Sequence, residues 1–236
     1  FFTLLLSCIS LFVVPITEDL GISRSAFGTF STIMSILGMI LSPVAGKVLA
    51  TKNTRLIMST CLLIGVLGYT ALSFVSNVVM LYVLAVIIGF GSAFSTTVPI
   101  AILLTKWFVK SRGTAMSITF AGSSIGAMIT KIITAFGWRM AFRFLGLGML
   151  VVLVPMAFLI LRNSPADKGL TALGAEEMSS DAQETVVETG LPLKTLQKKP
   201  VFWIYVLGIF VMLLTMGAMY HMAAHVVGIG MSADTA

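Results

Sequence analysis

The chain has 236 residues, of which 58% are hydrophobic and only 10% charged, and its mean hydropathy is +1.05. That balance excludes a soluble globular domain and marks an integral membrane protein. The net charge of +6 does not point to nucleic acid, because the basic residues form short clusters beside apolar stretches, where anionic lipid is the natural neighbour.

A partial apolar stretch at 1–17 comes first, followed by complete ones at 25–50, 56–76, 78–105, 113–136, 139–161 and 201–227. Each complete stretch exceeds the ~20 residues a helix needs to cross a hydrocarbon core of ~30 Å. The expected fold is therefore all-α, a polytopic transmembrane helical bundle. Phe1 opens inside an apolar run with no basic segment before it, so 1–17 reads as the end of a truncated first helix rather than a signal peptide. Cys8 and Cys61 sit in separate stretches and read as buried, inert thiols.

The gaps between stretches set the orientation. With the first stretch running outward, Lys47, Lys52, Arg55, Lys106, Lys110, Arg112, Arg162, Lys168, Lys194, Lys198 and Lys199 fall inside. Arg24, Lys131, Arg139 and Arg143 fall outside or within the membrane. Eleven against four satisfies the positive-inside rule.

Between 162 and 199 the composition changes. Five of the nine acidic residues lie between Glu176 and Glu188, and 172–190 reads as cytoplasmic loop rather than a folded domain. Leu191, Leu193 and Leu196 then alternate with Lys194, Lys198 and Lys199, as in a short amphipathic segment on the inner membrane surface before Pro200 starts the next span. The organisation expected is an N-terminal six-helix half at 1–161, an inter-half loop at 162–199, and the first helix of a C-terminal half with the start of an outer loop at 200–236. The rest of that second half is expected beyond this chain.

Several motifs recur in order along the spans. An inner segment reads Ser42-Pro43-Val44-Ala45-Gly46-Lys47 and continues to Arg55; the next inner loop reads Lys106-Trp107-Phe108-Val109-Lys110-Ser111-Arg112-Gly113-Thr114-Ala115. The fifth span holds Ala121-Gly122-Ser123-Ser124-Ile125-Gly126, and the sixth opens with Gly137-Trp138-Arg139. Pro165-Ala166-Asp167-Lys168-Gly169-Leu170 follows it, and the seventh opens with Pro200-Val201-Phe202-Trp203. In this order and spacing the chain resembles the major facilitator superfamily, and within it the monocarboxylate porter and oxalate–formate antiporter group. The resemblance implies two six-helix halves, of which this chain carries the N-terminal one plus the first helix of the other. It also makes the seventh span a cavity-lining helix, with a histidine at the place of His221 a common feature. Ala50 and Thr51 stand where the superfamily's inner loop usually carries Asp and Arg, so that charge pair is missing here. The fifth span is also a few residues short of the family pattern.

Among individual residues, Gly46 reads either as a tight inner turn with close helix approach or as a helix end. Gly122 with Gly126, and Gly89 with Ala93, form small-xxx-small packing faces. Trp107 and Trp138 read as aromatic anchors at opposite interfaces. Arg112, beside Gly113, reads either as a partner for an acid of the second half or as an inner anchor. Gly46, Arg55, Arg112 and Gly113 together form the candidate gating motif of the inner loops.

No carboxylate falls inside a span, so a proton relay of membrane acids is not expected in this half. The ionisable residues at membrane depth are Lys131, His221 and His225, with Arg143 one turn into the sixth span, and all suit an anionic substrate. Lys131 lies ~28 Å along the fifth span from Arg112, either facing a cavity or snorkelling to outer headgroups. Arg139 and Arg143 read as interfacial anchors. His221 and His225 share a face of the seventh span, but no third ligand accompanies them, so no metal is expected. Ser92, Ser95, Thr96 and Thr97 are expected to bond back to their own helix, although Thr97 or Ser124 can also offer a hydroxyl to a carboxylate. Lys131, His221, Ser124 and Thr97 are thus the candidate substrate-binding residues.

No enzyme motif is present: there is no GxSxG, no HExxH and no phosphate loop, and no cofactor is expected. The function expected is secondary active transport of a small organic anion by alternating access, coupled to a proton or a counter-anion, in a plasma membrane such as the bacterial inner membrane. The alternatives are an efflux carrier for amphiphiles and a non-transporting sensor on the same fold.

This topology has a direct test. With a cysteine replacing Ser180, a membrane-impermeant thiol reagent added to intact cells should leave the residue unlabelled until the cells are opened. Ready labelling from outside would reverse the orientation.

Overall fold

Each of the first three long helices starts at a side chain able to accept from its free amides. Ser23 Oγ accepts from the Ala26 amide at 3.2 Å, Asn53 Oδ1 from Leu56 at 3.2 Å and Asn77 Oδ1 from Met80 at 2.8 Å. Such caps satisfy donors that the first turn cannot. The computed structural model describes residues 12–108, 111–121, 126–173 and 193–228. In chain order its helices are α1 (Val13–Leu20), α2 (Arg24–Thr51), α3 (Thr54–Ala71), α4 (Val78–Ala93), α5 (Thr97–Trp107), α6 (Arg112–Ala121), α7 (Gly126–Leu159), α8 (Leu193–Leu196) and α9 (Pro200–Gly228). Short 3₁₀ turns at Leu72–Phe74 and Pro165–Lys168 follow α3 and α7.

The chain divides into two units, Phe1–Met178 and Ser179–Ala236. The boundary falls within the segment read as the inter-half loop, and the acidic stretch 176–188 lies outside the described residues. In the second unit, α9 starts at Pro200, with Trp203 Nε1 donating to the Gln197 carbonyl at 2.9 Å.

In the first unit, four segments are long and apolar enough to cross a membrane among the described residues: Arg24–Thr51, Thr54–Phe74, Val78–Trp107 and Ala135–Leu159. They coincide with four of the apolar stretches. The stretch at 113–136 appears as α6 and the first part of α7, with 122–125 outside the described residues.

Two of the turns rest on glycine. Gly21 ends α1 in the left-handed region (φ 61), and Ile22 N bonds back to Thr17 O at 3.0 Å, closing the last turn. Gly137 has φ 77 and ψ 162, a combination that only glycine adopts readily. The rings of Phe136 and Phe144 meet there at 5.8 Å, whereas a continuous helix would separate them by ~12 Å along its axis. The chain therefore bends back sharply at Gly137, where the sequence divides the fifth span from the sixth.

Two expectations are corrected. The inner turn does not fall at Gly46: α2 runs through Pro43 and Gly46 to Thr51, Gly46 has no positive φ, and the turn lies at Lys52–Asn53. Pro43 lacks one helix hydrogen bond but does not end the helix; Ser42 Oγ bonds back to Gly38 O at 2.6 Å beside it. Trp138 is not an exposed anchor but is buried, edge-on to Phe142.

The core forms two clusters. One joins Phe12, Ile16, Phe27, Phe30, Val66, Tyr69, Ile88, Trp138 and Phe142; the other, towards the end that the basic residues mark as the expected inner one, joins Ala45, Leu49, Met58, Cys61, Ala93 and Phe94. Helix α4 lies against both α2 and α3, and α3 also carries α7. Lipid tails are as apolar as leucine, so such contacts depend on close fit rather than on escape from water. Glycines provide that fit. A Cβ on Gly91 would meet the Gly65 backbone at 2.6 Å, and one on Gly146 would collide with Thr70 Oγ1. A Cβ on Gly89 would lie 3.2 Å from Met34 Cα, in keeping with the packing role expected of Gly89. Nothing lies within 4 Å of the corresponding position at Gly46.

Gly91→Ala should therefore destabilise the purified protein by about 1–3 kcal/mol, as overpacking does. Gly46→Ala should leave stability unchanged or raise it by about 0.5–1 kcal/mol, through helix propensity alone. Unfolding midpoints in mild detergent with graded SDS separate the two. Equal midpoints would remove the close α3–α4 contact from the fold.

Candidate substrate path and gating ends

Between Asp19 and Asp167 the sequence contains no Asp or Glu. The cations of the bundle must therefore find other acceptors, and the arginines find carbonyls at helix ends. A helix leaves its last four C=O groups unbonded and carries negative potential there, so a guanidinium is a fitting cap.

At the inner end, the half-buried Arg55 opens α3. Its Nε donates to Phe158 O at 2.7 Å, its Nη2 donates to the same oxygen, and its backbone N–H donates to Asn163 Oδ1 at 2.8 Å. Arg162 Nη1 caps the same helix end through Leu159 O (2.9 Å) and Leu161 O (3.0 Å). Beyond it, the Asp167 carboxylate accepts from the amides of Asn163 (3.0 Å) and Ser164 (3.2 Å), which fixes the 3₁₀ turn. The chain then runs back beneath the fourth span. Leu173 N donates to Trp107 O at 3.0 Å in a parallel bridge to Phe108, and Trp107 Nε1 reaches Arg162 O at 3.5 Å. Residues 162–173 thus brace the inner ends of α3, α5 and α7. Arg112, the first residue of α6, donates from Nε to Phe108 O at 2.9 Å, and Gly113 beside it is exposed.

At the opposite end, the expected outer one, Arg139 has the corresponding place. Its Nη2 meets Asp19 Oδ2 at 2.8 Å, while its Nη1 donates to Val75 O at 2.8 Å and Ser73 O at 3.2 Å. It also lies over the Trp138 ring at 4.3 Å. One guanidinium therefore holds the ends of α1 and α3 and the turn before the sixth span.

Midway, the fourth span breaks. Pro99 has no N–H for Ser95 O, and its ring crowds that carbonyl. Ser95 N and Thr96 N instead both donate to Ser92 O, at 3.2 and 3.0 Å. The hydroxyls of Ser92, Ser95 and Thr96 bond back to Gly89 O, Gly91 O and Ser92 O at 2.9, 2.6 and 2.8 Å, as expected. Thr97 starts α5 and is exposed, ~15 Å along the helix from Trp107.

Of the candidate residues, Arg55 and Arg112 stand at the inner end on different helices, Gly46 lies within α2, and Thr97 at the break. Lys131 is a position on α7 before Gly137, and His221 and His225 are positions on α9; their side chains, and Ser124 entirely, lie outside the described residues. No cluster able to hold a metal occurs among the described residues. Sequence reading missed the Asp19–Arg139 pair and the caps from Asn163 and Asp167. The available signal was that Glu18 and Asp19 are the acids nearest in sequence to the outer cations, with no other before Asp167.

The whole chain, residues 1–236, matches the family model described as Major Facilitator Superfamily. No curated protein matches it.

The two partners of the outer ion pair should not be equivalent. Their side chains are 37% and 47% exposed, so the pair itself contributes no more than about 1 kcal/mol. The two carbonyl bonds of Arg139 add about 1.5–3 kcal/mol each when charge-assisted. Asp19→Asn should lower the unfolding midpoint slightly and Arg139→Gln markedly. Equal losses would make the ion pair, rather than the carbonyls, the tie.

Proposed function

From a chain that belongs to the major facilitator superfamily, and is therefore a multi-pass membrane transporter, we propose secondary active transport of a small organic anion of the monocarboxylate or dicarboxylate class. The observation that carries this reading is the charge inventory: no carboxylate lies between Asp19 and Asp167, and the basic side chains within the spans, Lys131, Arg143, His221 and His225, are cationic or can become so. A cationic substrate would meet no counter-charge in this half. The break at Ser95–Thr96 supports the same reading, since the start of a half-helix inside the membrane carries positive potential suited to an anion.

Lys131 is the principal cation in this proposal, with His221, Ser124 and Thr97 as polar partners for the carboxylate. The substrate site lies between this half and a second six-helix half, which rock about it in alternating access. Gly46, Arg55, Arg112 and Gly113 belong to the inner gating surface, where the braced ends of the spans move as one plate. A proton or counter-anion supplies the coupling, and a plasma membrane is the setting. The likeness to the monocarboxylate and oxalate–formate group supports the substrate class.

A lone ammonium at membrane depth costs several kcal/mol unless it reaches water or a partner. In the full-length protein reconstituted in liposomes, Lys131→Gln should lower uptake efficiency for a carboxylate substrate by about ten- to a hundred-fold, the equivalent of one charge-assisted contact. Lys131→Arg should restore part of it, because the charge returns without the shape. Wild-type uptake by the Gln variant across substrate concentrations would return Lys131 to the role of a snorkelling anchor.

A further inference from the structure

Among the described residues, Arg143 is an outer cation that takes no part in the capping scheme. Arg143 stands one turn beyond Arg139 and is exposed. Its guanidinium lies 5.0 Å from the centroid of the Phe74 ring, and Nη1 is 3.7 Å from Met140 Sδ. Both contacts are neutral. They steady the group by cation–π and sulfur contact without supplying a counter-charge.

The surroundings specify what can supply one. Arg143 heads a bare apolar stripe along α7, with Phe144, Leu147, Val151, Met156 and Leu159 all exposed. Leu159 ends the same helix ~24 Å away at helical rise, and Arg162 lies just beyond it. With the turn to Arg162, that span approaches the ~30 Å thickness of a bilayer's hydrocarbon core. The stripe between the two arginines has the length of two opposed layers of lipid tails, which puts Arg143 at the level of the outer phosphates and leaves the outer half of the stripe, ~15 Å, to an outer-leaflet tail. Phe74, 60% exposed, and Phe136, 61% exposed, are aromatic rings of the kind that settle at that level.

We propose that Arg143, seated on Phe74 and Met140, binds the phosphate of an outer-leaflet phospholipid whose acyl chain lies along Phe144, Leu147 and Val151. The planar fork of arginine suits two phosphate oxygens. Arg139, one turn away, is already occupied by Asp19 and two carbonyls and cannot substitute. This site is separate from the substrate path and does not depend on the anion reading.

The test uses the full-length protein, delipidated in detergent and titrated with phosphatidylglycerol under native mass spectrometry. Wild type should retain the lipid, and Arg143→Gln should weaken retention about five-fold, the effect of one cation near anionic headgroups. Arg143→Lys should keep most of it, and Arg24→Gln, at another exposed outer cation, should change nothing. Diacylglycerol with the same chains should bind poorly to wild type, and millimolar inorganic phosphate should not displace phosphatidylglycerol. Wild-type retention by a folded Arg143→Gln protein would overturn the proposal, as would equal binding of diacylglycerol or displacement by free phosphate. If Arg143→Gln does not fold, Phe74→Leu serves instead: it keeps the charge, removes the platform and should weaken retention about two-fold; unchanged retention there overturns the proposal equally.

Discussion

A guanidinium on an open helix end is the interaction on which the bundle depends. With no acid between Asp19 and Asp167, ion pairing serves few of the positive charges, as at Arg139 with Asp19, and the backbone supplies most of the other acceptors. Arg55 and Arg162 close the inner end of α7, and Arg139 gathers the outer ends of α1 and α3. Each bond meets two needs at once, since it satisfies orphan carbonyls and offsets the negative end of a helix dipole. Lysine could not bridge two carbonyls from a fixed plane as Arg139 does.

The ends are tied and the middle is packed by shape. Glycines at 65, 89, 91 and 146 bring backbones together where side chains would hold them apart. Since α4 lies between α2 and α3, and α3 carries α7, a displacement of any one of them is felt by the others. A half built in this way suits rigid-body rocking better than internal rearrangement. The exception is the interrupted fourth span, where the helix has lost its own continuity.

How much of this could be read from the residues depends on which force sets each feature. Span positions follow hydropathy, and α2, α3 and the α4–α5 pair fall within a few residues of 25–50, 56–76 and 78–105. The division at Gly137 was legible from a glycine beside Trp-Arg. The continuation of α2 past Pro43 was not, because a proline in a membrane helix can either end it or be absorbed, and neighbouring packing decides. Trp138 followed the composition of an interface anchor, but the Phe12–Phe142 stack at 4.3 Å builds an aromatic cluster that draws it inward. For the candidate site, Arg55 and Arg112 were found as residues but not by their partners. Carbonyl acceptors belong to every residue and leave no trace in a sequence.

The break at Ser95–Thr96 has a consequence for hydration. The amides of Thr97 and Val98 have no acceptor within α5, and Pro99 gives Ser95 O no donor. Hydrocarbon cannot satisfy these groups, and both Thr97 and Val98 are exposed. This turn must therefore face water or another protein surface, never lipid tails. As water enters and leaves a transport cavity, these two amides would exchange with solvent deuterium faster than any neighbour within the helices. The span thus carries a natural reporter of when its own centre is wet.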